Sequence, residues 1–124
     1  MTETTEQEIA AVSTAPRVTP ADIEANIAST WYINAATGVV PDNFQPPVPV
    51  GHCLGLLTIC VLVLRNGFTV TGESACASHE NFNADIGRRI ARENAVAKVW
   101  PLMGYQLKEQ LYQRTVPGIP PVES

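Results

Sequence analysis

The stretch Ala84–Tyr105, ADIGRRIARENAVAKVWPLMGY, constrains the fold more than any other part of this 124-residue chain. At about 100° per residue, Ile86, Ile90, Ala97 and Trp100 fall within roughly 60° of one another, with Val96 beside them. That stripe predicts a long helix with a core-facing side. A second strip of small residues, Ala91, Ala95 and Val99, lies on another side, flanked by Arg88, Arg92 and Lys98. A helix that is apolar on two sides requires two neighbours. The expectation is that the bulky stripe covers the chain's own sheet, while the small strip packs closely on a second subunit in a homo-oligomer. Glu93 falls inside the first stripe with Asn94 at its shoulder. It is therefore expected as a buried polar or interface residue that needs a partner or a shifted pKa.

The sheet is read from a hairpin. The runs LTICVLVLR and FTVTGES flank Asn66-Gly67, a pair that tolerates positive φ at both positions of a tight turn. Both faces of the first run are mostly apolar, which predicts a strand buried on two sides. In the second run Phe68 and Val70 face one way, and Thr69, Thr71 and Glu73 the other. The sheet should then have one apolar side and one partly polar side.

Upstream, Thr19-Pro-Ala-Asp starts a short helix: Thr19 caps, Pro20 suits the first position and Asp22 sits in the first turn. The helix is expected to reach about Ser29, with Ile23, Ile27 and Ala28 inward. Trp31–Ile33 suggests a short strand, but the glycine and prolines from 38 to 49 break any long element, so 31–55 reads as a loop or arm. Asn83 is the expected cap of the long helix. Pro101 is expected to kink it or to start a separate final helix ending near Arg114. Residues 1–18 and the proline-rich 115–124 read as flexible tails. The predicted fold is thus a single α+β domain over 19–114: a small antiparallel sheet against a long C-terminal helix, with a short N-terminal helix.

A net charge of −4 argues against indiscriminate binding of duplex nucleic acid. It still permits a small anionic ligand, because three of the six arginines, Arg88, Arg89 and Arg92, lie within five residues. The apolar run Leu54–Leu64 has 11 residues, well below the roughly 20 that cross a bilayer as a helix. An odd number of cysteines and no signal peptide point to a reducing cytoplasm. The adjacent pair His52-Cys53 does not fit the usual spacing of a zinc site, and Cys60 sits inside a strand, so neither a metal nor a cofactor is expected. Ser74, Cys76 and His79 are close in sequence, but nothing forms a nucleophile elbow or a glycine-rich phosphate cradle, and a hydrolase is the minority reading.

One constellation suits a ligand. Phe82 precedes the long helix and offers a ring for stacking, Asn94 carries an amide able to read a base edge, and Arg88, Arg89 and Arg92 can meet phosphates near the helix N-terminus. A solvated face explains the same residues: Asp85 with Arg89 and Arg89 with Glu93 are i,i+4 pairs, and Phe82 can staple the helix entry.

The order NGF-x-V-x-GES-x-C, IGR-x-IA-x-ENA and W-P-L-x-GY, over about Leu57–Leu111, resembles a family of small phage and prophage proteins named after a gene product of the phage N four. The segment Trp31–Gly55 is longer here than is usual in that family. The resemblance extends to the type-one anti-Thoeris proteins, phage sponges that bind cyclic ADP-ribose-type signals and, in some members, cyclic oligonucleotides without cleaving them. It implies a homo-oligomeric α+β protein in the cytoplasm of an infected bacterium that sequesters a cyclic nucleotide. Phe82 would then stack on the ligand and Asn94 would supply polar recognition, with Arg114 or Arg92 on the phosphates. The competing expectation is a structural or interaction module that oligomerises and binds a host protein.

Overall fold

The computed structural model describes residues 15–42 and 48–114. The expected tails, apart from Ala15–Val18, lie outside the described residues, as does 43–47 of the expected arm. Helix α1 (Pro20–Asn26) begins with a reciprocal capping box. The Asp22 N–H donates to Thr19 Oγ1 at 3.1 Å, and the Thr19 N–H donates to Asp22 Oδ2 at 2.9 Å. The helix ends three residues earlier than predicted, because Ile27–Asn34 forms strand β1. The β-branched and aromatic residues of that segment win over helical spacing once a strand is there to pair with. Ile23 is buried as expected, whereas Ala28 is exposed at a bulge between Ile27 and Ser29.

The arm therefore contains structure. Asn34 closes β1 by accepting the Ala36 N–H on Oδ1, which starts the one-turn helix α2 (Ala35–Gly38). Its Nδ2 donates to the Gly55 carbonyl at 3.0 Å and ties the two ends of the segment together. A short 3-10 turn at Cys53–Leu56 leads into β2 (Leu57–Leu64), and β3 is Thr69–Ala75. The turn between them falls at the expected place but is one residue longer than the expected Asn66-Gly67 pair, with Arg65, Asn66 and Gly67 forming the loop. The Leu64 N–H donates to the Phe68 carbonyl at 2.8 Å and the Gly67 N–H to the Leu64 carbonyl at 2.9 Å. Gly67 stands at φ 90°, a left-handed conformation that glycine adopts without strain. The strands form an antiparallel sheet in the order β1-β2-β3. Its central strand alternates fully buried Thr58, Cys60, Leu62 and Leu64 with half-buried residues on the other face.

Helix α3 (Ala84–Gln113) lies across β2 and β3. Asn83 caps it, its Oδ1 accepting the Ile86 N–H at 3.1 Å. The helix passes through Pro101 without a break, so the separate final helix is not formed. The hydrogen bond that Pro101 removes would have gone to the carbonyl of Ala97, which is exposed and open to water.

The two sides of α3 are the reverse of the expectation. Gly87, Ala91, Ala95 and Val99 are the buried residues, pressed on the chain's own sheet, while Ile86, Ile90 and Trp100 remain 45%, 39% and 37% exposed. Ala91, Ala95 and Val99 are thus core residues of one chain and not a subunit interface. Glu93 is exposed, so the expected buried carboxylate does not exist. The cause lies in β3. At Gly72 the helix backbone comes so close that an added Cβ would stand 2.2 Å from the Ala95 nitrogen. Only small side chains fit between elements at that separation, and burial by Gly72, Ala91 and Ala95 comes with tight packing in place of large apolar area. Ile23, Cys60, Leu62, Leu64, Val70 and Val99 complete the core, and Val18, just ahead of α1, packs against it.

Candidate ligand-binding site

The ring of Phe82 is half-buried directly ahead of the cap of α3, near Gly87 and Thr58. Phe82 is positioned by a 3-10 turn at His79–Asn81, its N–H donating to the His79 carbonyl at 3.3 Å. The free N–H groups of the first turn of α3 follow at once, giving that end a partial positive charge. Arg88, one turn on, is held by an ion pair with Asp85. Aromatic surface, helix N-terminus and guanidinium therefore stand within two turns of each other.

Arg92 and Asn94 leave the helix on opposite flanks. Arg92 makes a two-pronged ion pair with Glu24 of α1, at 3.0 and 2.9 Å. Its hydrogen bond holds the Glu24 carboxyl below the usual carboxylate range, and Glu24 in turn raises Arg92. Asn94 reaches the other way, its Nδ2 donating to the Glu73 carbonyl of β3 at 2.8 Å. Lys98 joins it there, 3.8 Å from the Glu73 carboxylate. Arg114 caps the far end of α3, on the order of 30 Å from Asn94 for twenty helical residues. Phe82 and Arg88 both belong to the N-terminal end of α3, whereas Arg92 is tied to α1, Asn94 to β3, and Arg114 stands at the opposite end of the helix.

The Glu24–Arg92 pair has a pH signature. Glu24 is more acidic folded than unfolded, so its stabilisation is present above the unfolded value of about 4.5 and is lost as pH falls through the lower folded one. The carboxylate is more than half exposed, which limits the effect to less than about 1 kcal/mol. Denaturation midpoints at pH 7 and pH 3 should differ less for Glu24→Gln than for the unaltered chain. An equal difference would remove the pair from the acid response.

Other features were not visible in the sequence. Thr58 is the one buried polar residue among those described, set beneath Gly87. A groove of about 860 Å³ runs between α1, the β2–β3 turn and the C-terminal half of α3. Val18, Leu64, Phe68, Leu102, Met103 and Leu107 contribute its apolar surface, and Arg17 and Arg65 lie among its polar residues. It draws on three separate parts of the chain, so no local motif announces it. Burial pushes the Cys60 thiol up, consistent with a core role. Among the described residues no three His, Cys, Asp or Glu side chains converge as metal ligands, and no helix is long and apolar enough to cross a membrane.

No curated protein and no solved structure matches the chain. A family model does match, over residues 18–111, from α1 nearly to the end of α3. The chain belongs to the phage protein (N4 Gp49/phage Sf6 gene 66) family.

Proposed function

We propose that this phage protein binds and sequesters a cyclic nucleotide immune signal of the host, of the cyclic ADP-ribose or cyclic oligonucleotide type, without cleaving it. The observation that carries the reading is Phe82 beside the N-terminus of α3 with Arg88 one turn on. A ring stacks on a base with little regard to its identity, and helix N–H groups with a guanidinium suit a phosphate. Asn94, with its Nδ2 held by the Glu73 carbonyl and its Oδ1 without a partner among the described residues, joins such a site where a second chain brings it there. Arg92 and Arg114 are further phosphate contacts if a second chain brings them to the first, so the reading includes a homo-oligomer. Membership of a phage family supports action in the cytoplasm of an infected bacterium.

The test is thermal. A ligand that binds only the native state raises the melting temperature, by about 2.7 kcal/mol of stability at a hundredfold excess over Kd. A panel of cyclic nucleotides should contain at least one that does so, that is recovered intact after denaturation, and whose effect is lost in Phe82→Ala. No shift across the panel removes the ligand reading, and recovery of hydrolysed product replaces it with catalysis.

A second reading is favoured by the outer sheet face, where Trp31 is 61% exposed and pairs with Val61, while Ile33 pairs with Ile59. Such a patch suits an interaction module that binds a host protein.

A further inference from the structure

The bulky stripe of α3 points away from the sheet that the small strip covers, and its residues are exposed. Ile86, Ile90, Glu93, Ala97 and Trp100 follow each other at alternating intervals of four and three residues. This is the 3.5-residue repeat by which two helices keep one seam in contact. The seam lies clear of the chain's own core, since all five of these residues are exposed.

Charge decides what covers it. Of the three clustered arginines, Arg88 is paired with Asp85 and Arg92 with Glu24, while Arg89 has no ion pair among the described residues. Glu93, inside the seam, has none either. The two stand at i,i+4 in the order Arg then Glu, the less favourable direction along a helix. One acid and one base, both free and four residues apart, are self-complementary about a twofold axis between them.

We propose that a second copy of the chain packs antiparallel on this seam, about an axis at the level of Ala91, with Arg89 of each copy meeting Glu93 of the other. In that register Ile90 of the two copies meet beside the axis, and Ile86 of each lies over Ala97 of the other, a large side chain on a small one. The proposal rests on the self-association in the reading above and specifies its surface.

Sedimentation equilibrium of the full chain tests it. The unaltered protein is expected to be a dimer. Arg89→Glu, which sets like charges across the axis, should raise the dimer dissociation constant about a hundredfold, with unchanged circular dichroism. The double change Arg89→Glu with Glu93→Arg should restore it. Ile90→Cys in a Cys53→Ser background should form a covalent dimer on oxidation. A dimer whose mass ignores Arg89→Glu, and which Ile90→Cys does not cross-link, overturns this surface but leaves self-association standing. A monomeric unaltered chain overturns both, including where a host protein is found on the seam instead.

Discussion

Gly72→Ala is expected to destabilise the protein by about 3 kcal/mol or more, seen as a lower denaturation midpoint at unchanged slope. The added methyl would stand 2.2 Å from the Ala95 nitrogen and 2.3 Å from the Ala91 carbonyl oxygen. Both are backbone atoms of a helix, so no change of rotamer relieves the overlap. Either α3 lifts from β3, opening the layer that buries Leu62 and Val70, or the strand bends away. A methyl is an ordinary small addition at an exposed strand position. The same addition here acts on the distance between two layers. A midpoint equal to that of the unaltered protein would show that the helix does not rest on β3 at this residue.

Leu62→Ala is expected to cost about 3 kcal/mol, whereas Val61→Thr, its neighbour on β2, should cost less than about 1 kcal/mol. Leu62 is fully enclosed under α3, so truncation loses apolar burial and leaves a cavity walled by residues that cannot move in. Val61 lies on the opposite face of the same strand and is only half-buried. The contrast between adjacent residues is the measurement. Equal losses would mean that the outer face of the sheet is covered in solution.

Local chemistry carried much of the fold. The turn at Asn66-Gly67, the Thr19 cap and the Asn83 cap each depend on a few neighbouring atoms, and the structure has all three, with Asp22 completing a reciprocal box at Thr19 that was not read from the sequence. The α+β class follows from them together with the periodicity of α3. What the sequence pattern misjudged is which side of α3 faces inward. Hydrophobic periodicity weighs the size of side chains, so it favours Ile86, Ile90 and Trp100. It takes no account of how closely two backbones approach. A signal for that existed, because a glycine inside a strand often marks close backbone contact, and Gly72 pairs with Cys60 at the centre of the sheet. The misplaced helical end at Ile27 has a similar origin, since only a pairing strand far along the chain draws that segment into β1. For the candidate residues, the place of Phe82 just ahead of the helix cap and of Arg88 one turn inside the helix was legible, because both are local to the chain. The opposite departures of Arg92 and Asn94 were not, because they depend on Glu24 and Glu73.

The amide of Asn94 on the Glu73 carbonyl bears on the solubility of the folded chain. Sheet edges invite growth, and a chain with two open edges can add copies without end. Here the outward carbonyl of one edge strand is occupied by an amide, and Lys98 stands guard next to it. One satisfied carbonyl and one neighbouring cation blunt this stretch of the β3 edge against pairing with another strand. Asn94→Val would bare the Glu73 carbonyl and leave that edge more open to pairing with a neighbouring strand.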